Sequence, residues 1–353
     1  MKRFKSLIIM YVILGLLVIF TGCPKTPLGG ENTKPKGMVY FSFFDTVSYV
    51  YSYAGDTDEE FKNKCAQVSD TLGHYHQLFD IYYEYSGVNN LKTINDNAGQ
   101  NPVKVYKELI DFLVYAKQLY TLTNGEMNVM MGAVLKPWHD ARVNAKENPS
   151  QAAIPDEQTL LQASLHTDIN SLIIDEENQT AFISDPLASI DVGALGKGYA
   201  TQKAADILRK QKADGYVLNI GGNICTIGKK PDGSGWKTGI KDPRNSEQFA
   251  IVLEISDVAC VTSGDYERCF TVGGKKYHHI IDKDTLMPST YFSSVTILTA
   301  DSGLADALST ALFAMSYEDG LKLVNQIGNV QVVWITTDGV QYYTDGIQAL
   351  IRK

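Results

Sequence analysis

From Ser171 onward the chain is a succession of short β-rich runs: "SLIID", "TAFIS", "GYVLNIGGNICTIG", "WKTGIK", "FAIVLEIS", "VACVTSG", "KKYHHIID" and "SSVTILTA". Only two helical stretches, "GYATQKAADILRKQKA" and "SGLADALSTALFAMS", interrupt them. A doubly wound parallel sheet needs a helix after nearly every strand, whereas long sets of strands with segregated helices predict an α+β domain. The half before Ser171 is more helical. "DTDEEFKNKCAQVSDTLGHYHQLFD" predicts a helix starting at Asp56 or Thr57, with acids in its first turn. "NPVKVYKELIDFLVYAKQLYTLTNG" predicts a second, with Pro102 early and Gly125 past its end. "IPDEQTLLQASL" predicts a short third. "VYFSFFDTVSYVYSY" alternates like an aromatic strand, and "VQVVWITTDGVQYYTDGIQAL" reads as a hairpin around Asp338-Gly339.

The N-terminus has a different texture. "MKRFK" carries three cations and no acid, and an apolar run of fourteen residues follows, Leu7 to Phe20. That length is short for a membrane span and suits the core of a signal peptide. "TGC" comes next, then the polar Pro/Gly stretch "PKTPLGGENTKPKG". A small residue before a lone Cys resembles a bacterial lipobox, with Phe20 where that motif prefers Leu. The expectation is a signal peptide over 1–22, a lipidated Cys23 opening a flexible linker over 23–38, and a folded body over 39–353. The body would then be anchored on the extracytoplasmic face of the membrane. The net charge is −8, and loss of the leader leaves 29 cations against 40 acids, so nucleic acid is not an expected partner. Cys65, Cys225, Cys260 and Cys269 fit no zinc spacing, and no obligatory disulfide is expected.

Several stretches could carry chemistry. In "DVGALGKGYA" the glycines run Gly193-x-x-Gly196-x-Gly198, the reverse of the dinucleotide fingerprint, and the phosphate-loop spacing is absent. The stretch is either a tight strand-to-helix turn or an anion cradle built from the N–H groups of Gly196, Lys197 and Gly198. Asp191 could accept from ribose or base donors or help hold a cation, and Lys197 either contacts a nucleotide or is solvated. "NIGGN", Asn219 to Asn223, marks a bulge, a close backbone approach or a plain hairpin turn. "VTSGDYERCF" has a similar corner at Thr262-Ser263-Gly264. Asp306 and Thr310 lie at i and i+4 of one helix. They are either two hard oxygen ligands for Mg²⁺ or an acid and a back-bonding Thr on a solvated face. His278 and His279 sit at the end of a predicted strand, which would send them to opposite faces.

Taken in order and spacing, "DVGALGKGYA", "NIGGN", "TSGDYERCF", "HHIID" and "ADALSTALF" resemble the ApbE-type flavin transferases. "FDTV" and "NGEMNVMMGAVLKPW" fit that family's N-terminal half, so the resemblance covers roughly Tyr40 to the C-terminus. It implies mixed or antiparallel sheets with segregated helices, and an FAD and magnesium site in a cleft between two lobes. The implied activity is Mg²⁺-dependent transfer of FMN from FAD to a Thr or Ser hydroxyl of a partner flavoprotein with an FMN-binding domain, releasing AMP. By the same resemblance Asp306, Thr310 and the main-chain carbonyl of Ala194 hold Mg²⁺, and His279 is the general base. Asp191, Lys197, Met127, Asn128, the backbone at Ile280, the Gly221-Gly222-Asn223 corner and Ser263 line the FAD site. Two other outcomes use the same site: an FAD pyrophosphatase, and a flavin-binding lipoprotein without catalysis. The second has no use for a metal pair or a base. The chain departs from the family pattern at Asn128, where an acid is usual. It departs again in "DKDTL", where Lys283 replaces a proline and Leu286 a glycine.

Overall fold

The computed structural model describes residues 34–352; Cys23 and the leader lie outside the described residues. The aromatic stretch that opens the body is two strands, not one. Lys36–Phe43 (β1) and Thr46–Ser52 (β2) pair antiparallel across Phe44 and Asp45, both at φ 52°. Two left-handed residues make the hairpin turn usually spelled Asn-Gly, and a Phe in the first position conceals it from a sequence reading.

Six further strands complete the sheet: Tyr216–Ile220 (β3), Asn223–Ile227 (β4), Ala259–Gly264 (β5), Ser294–Thr299 (β6), Gln331–Ile335 (β7) and Gln341–Tyr343 (β8). Their spatial order is their chain order, and every neighbouring pair is antiparallel. The sheet is therefore a meander with inserts. The helical half, residues 53–215, is inserted between β2 and β3. The long hairpin Trp236–Asp242 and Asn245–Ile255 lies between β4 and β5, and the histidines between β5 and β6.

Three helices position the site: Asp58–Phe79 (α1), Gly196–Lys210 (α2) and Ser302–Phe313 (α3). Thr57 is the N-cap of α1, in a capping box with Glu60. The second helix that the sequence predicts, Lys107–Leu122, starts later than Pro102 implies, because Val103–Lys104 pairs as a strand with Thr180–Ile183. Gly132–Glu147 is a helix despite Pro137 inside it, and the tail after β8 turns into a short helix, Asp345–Leu350, instead of extending the hairpin.

One face of β2 to β4 packs on α1, α2 and Lys107–Leu122 through Val50, Leu72, Phe112, Ala204 and Leu218. The α3 helix covers the β5–β7 part of the sheet through Leu308, Leu312, Val332 and Trp334. The opposite face lies under the long hairpin, through Trp236, Leu253, Cys260 and Leu298. All four cysteines of the body are free thiols. No described helix is long and apolar enough to cross a membrane.

Candidate active site

The glycine-rich turn leads into α2, and its third glycine has a packing role. A Cβ on Gly198 would lie 2.3 Å from the Ser302 carbonyl and 2.4 Å from Asp306 Cβ. Only glycine lets α2 and α3 approach this closely. The anion at this helix start is the chain's own: Gly198 N–H donates to Asp306 Oδ2 at 2.7 Å. Gly196 N–H donates to the Val192 carbonyl at 2.8 Å. The expected cradle of free N–H groups is thereby corrected, since two of its three donors are used inside the protein.

Asp306 is buried, 4% exposed, which removes the solvated-face reading of α3. Among the described residues its carboxylate faces, besides Gly198, only Lys197, whose Nζ is 3.7 Å from Oδ1. One N–H and one ammonium beyond hydrogen-bond reach are thin compensation for a buried carboxylate. One turn on, Ser309 donates to the Asp306 carbonyl at 2.8 Å, and Ser263 Oγ lies 2.8 Å from Ser309 Oγ. Thr310 Oγ1 is left with one long contact, 3.4 Å to Ser263. Ala194 sits in the turn just ahead of α2. A carboxylate, a hydroxyl and a main-chain carbonyl are hard oxygen donors of the kind that suits Mg²⁺, which keeps waters and substrate phosphates as its other ligands. The residues present fit the ion. Ser263 reads here as a support for α3.

The segment bearing Met127 and Asn128 runs beside the one bearing Asp191. Asp191 N–H donates to the Val129 carbonyl at 2.8 Å, and Met131 and Ser189 form a bridge. Asp191 Oδ1 accepts from Gly193 N–H at 2.8 Å. Desolvation pushes its carboxyl above the usual range, against the pull of that N–H and of the charges on Arg268 and His139. Met127 is buried, its N–H on Thr123 Oγ1. Both ends of the Asn128 amide are engaged, Nδ2 with the Thr167 carbonyl and Oδ1 with Met130 N–H, each at 2.9 Å. Its side chain holds two loops together.

The departures in "DKDTL" have local explanations. Asp282 Oδ1 accepts from Asp284 and Thr285 N–H, closing the turn. Lys283 reaches Glu126 at 3.3 Å and ties this loop to the one carrying Met127. Leu286 takes the left-handed conformation, φ 59°, that the family's glycine would take freely, and its side chain is buried beside Trp138 and Leu160.

The Gly221–Gly222 pair is a two-residue turn joining β3 and β4, with φ of 57° and 94°. A Cβ on Gly221 would strike Thr46, whereas Gly222 faces open space. Asn223 is buried with its Nδ2 unpartnered. By strand alternation Asn223 shares the face of Cys225, which pairs across to Ala259, two alternations before Ser263. The unpaired amide therefore faces the side of the sheet that carries α2 and α3.

The strand Lys275–Tyr277 ends before the histidines, which correct the expected strand placement. They nevertheless diverge. His278 is buried, its Nε2 donating to the Ser289 carbonyl at 2.9 Å and its Nδ1 accepting from Ile280 N–H at 3.2 Å. Both nitrogens are committed. His279 is exposed and makes one ring bond, Nδ1 to the Glu267 carbonyl at 3.2 Å. A carbonyl only accepts, so Nδ1 carries the proton and Nε2 keeps a free lone pair. Desolvation by the surrounding protein, then the charge of Arg268, push its imidazolium down to about 3. Solvent at the exposed edge tempers that depression, and the neutral ring prevails near pH 7 either way. The Ile280 backbone is spent inside the protein, its N–H on His278 and its carbonyl on Ser289 N–H at 3.0 Å. Sequence reasoning missed Glu267 as the group that fixes the His279 tautomer. It lies within the quoted "VTSGDYERCF", but a main-chain role leaves no side-chain signature.

The profile of the ApbE family matches residues 45–334. An FAD:protein FMN transferase of Klebsiella pneumoniae (strain 342) is 30% identical over 266 residues, covering 74% of this chain and 80% of that one. An FAD:protein FMN transferase of Treponema pallidum (strain Nichols) is 31% identical over 277 residues, covering 74% and 75%. The solved structure of the ApbE protein from Thermotoga maritima superposes with a TM-score of 0.79 at 26% identity, over 91% of this chain and all of that one. The flavin transferase ApbE from Vibrio cholerae shares the fold, with a TM-score of 0.74 at 24% identity, over 90% of this chain and 100% of that one. The chain belongs to the ApbE family.

Proposed function

We propose that this chain is an FAD:protein FMN transferase that moves FMN from FAD to a Thr or Ser hydroxyl of a partner flavoprotein and releases AMP. The observation that carries the reading is the convergence on Lys197. Its ammonium lies 3.7 Å from the buried Asp306, and its charge acts on His279, whose Nε2 is free. The charge of one side chain thus acts on both the base and the acidic oxygens.

Phosphoryl transfer asks a protein chiefly for positioning and charge neutralisation. Asp306, Thr310 and the Ala194 carbonyl would hold Mg²⁺, which when bound neutralises pyrophosphate charge as AMP departs. His279 Nε2 accepts the proton of the acceptor hydroxyl while Glu267 keeps Nδ1–H in place. The acceptor oxygen bonds to the FMN phosphorus, the bond from that phosphorus to the bridging oxygen breaks, and AMP leaves with the electron pair. Asp191 and Lys197 flank the turn ahead of α2 and are the polar groups disposed to orient the nucleotide. Asn128, Ser263 and the Ile280 backbone support the walls. Membrane anchoring through Cys23 belongs to the same proposal and is supported by the lipobox-like "TGC" after Leu7–Phe20.

The test incubates the purified protein with FAD, Mg²⁺ and an FMN-binding domain carrying a Thr acceptor. The expected result is flavin fluorescence on the acceptor after denaturing electrophoresis, one AMP per flavin, and loss of both in EDTA. FMN and AMP formed at the same rate without acceptor would assign hydrolysis instead. FAD bound and returned intact would leave only storage.

A further inference from the structure

Arg268 combines a strained backbone, an unneutralised charge and a position beside the base. Its φ is 45°, the left-handed region, which is costly for a residue with a Cβ and concentrates at functional sites. Among the described residues its guanidinium makes no hydrogen bond and no ion pair. Its charge nonetheless acts on groups from four separate segments: Asp191 ahead of α2, His279, Tyr82 after α1, and Arg142 in Gly132–Glu147. Arg142 adds a second cation there, its one ring contact being to His139 Nδ1 at 3.3 Å. Two carboxylates, Asp191 and Asp140, act on the same neighbours, but Asp140 is paired with Lys136 at 2.5 Å, which leaves Asp191 facing two guanidiniums.

The position says which anion. Glu267, the residue before Arg268, supplies the carbonyl that orients His279 at 3.2 Å. An acceptor hydroxyl giving its proton to Nε2 lies within hydrogen-bond reach of that nitrogen, and the phosphorus it attacks lies one bond beyond. Arg268 thus directly follows the residue that holds the base, whereas Asp306 and Thr310 lie on α3 with Lys197 Nζ 3.7 Å from Asp306. We propose that Arg268 is a further catalytic residue, whose guanidinium grips the non-bridging oxygens of the FMN phosphoryl group as it passes from AMP to the acceptor hydroxyl. This rests on the flavin-transfer reading. The grip forms and breaks no covalent bond: the proton goes to His279 and the electron pair leaves with AMP.

The experiment compares FMN with riboflavin, which differ by the phosphate alone. Binding to the detergent-solubilised full chain is followed by quenching of flavin fluorescence, for wild type, Arg268→Gln and Arg268→Lys. Charge-assisted bonds to phosphate predict that wild type prefers FMN by about ten- to a hundredfold. In Arg268→Gln the preference should fall to within about threefold with riboflavin binding unchanged, and Arg268→Lys should keep part of it. AMP binding, measured by calorimetry, should be the same in all three. Single-turnover transfer by Arg268→Gln should drop about a hundredfold or more. An unaltered FMN preference in Arg268→Gln overturns the proposal. So does equal loss of FMN and riboflavin binding at an unchanged melting temperature, which would make Arg268 a wall of the flavin cavity. If Arg268→Gln loses the FMN preference but wild type transfers no flavin to any acceptor, the phosphate contact stands and the transfer reading falls.

Discussion

His278 and His279 are chemically identical neighbours, and only their hydrogen bonds separate them. His278 uses both nitrogens to tie the loop after Lys275–Tyr277 to Ser289 and Ile280. His279 keeps Nε2 free. His279→Ala should therefore lose flavin transfer by about 10²–10⁴-fold, the usual cost of removing a general base, while FAD binding persists. His278→Ala should retain the chemistry but lower the melting temperature. The pH profile adds an independent readout. A base works in its neutral form, so activity falls as pH drops through its pKa. Desolvation and Arg268 hold that pKa below the ordinary value of about 6.5. The acidic limb of the single-turnover rate should thus lie below pH 6.5, and His279→Ala should abolish it. A limb at or above pH 6.5 would detach it from His279. The sequence singles out the second of the two histidines because it directly precedes "IID", but the physical difference between them was not legible. Alternation along a strand was the expected cause, whereas the strand ends at Tyr277 and the separation comes from hydrogen bonds to Ser289 and Glu267 carbonyls.

At the scale of elements, the contact between α2 and α3 builds the half of the proposed site that would hold Mg²⁺, and Gly198 sets its spacing. Gly198→Ala would gain helix propensity, about 1 kcal/mol. It would also drive a Cβ to 2.3 Å from a backbone carbonyl, where no side chain can yield. Overpacking of this kind costs about 1–3 kcal/mol and occasionally more, so the clash wins. The variant should melt lower and bind Mg²⁺ more weakly, because Asp306 is held from Gly198 N–H. Gly73, inside α1, is the control. A Cβ there makes only an ordinary 3.4 Å contact with Phe43, so Gly73→Ala should melt no lower than wild type. Equal melting of Gly198→Ala and wild type would show that the helices can part freely. The glycine spacing in "GALGKG" flagged this turn correctly in the sequence. It misled on the partner, since the close approach is to another helix 100 residues away, and a one-dimensional pattern does not show which face of a helix meets which. The strands were more legible than the helix starts. Alternation is a local property of each strand, whereas the start of Lys107–Leu122 is decided by Val103–Lys104 pairing with the distant Thr180–Ile183.

At the scale of the whole molecule, a sheet that follows chain order puts β1 at its edge and makes the start of the body a structural member of the domain. Twelve residues, Pro24 to Pro35, separate Cys23 from β1. Twelve residues reach at most about 40 Å when fully stretched. The body itself has a radius of gyration of about 20 Å. If Cys23 carries the lipid, the flavin site stays within a few tens of ångströms of the membrane, and acceptors must present their hydroxyl on that face. Cys23→Ser should leave an unprocessed precursor or release the protein from the membrane fraction. It should not alter transfer to a soluble acceptor domain, because the proposed chemistry runs through His279, Asp306 and Thr310 and assigns Cys23 no step. Modification of a membrane-embedded acceptor in cells should fall, since the tether no longer concentrates enzyme and acceptor on one surface. Fractionation, the apparent mass of the mature chain, and flavin fluorescence of the two acceptors read these outcomes separately. A variant that is processed and retained like wild type would refute lipidation at Cys23. A variant that is released yet labels the embedded acceptor at the wild-type rate would show that the tether locates the enzyme without aiding its reaction.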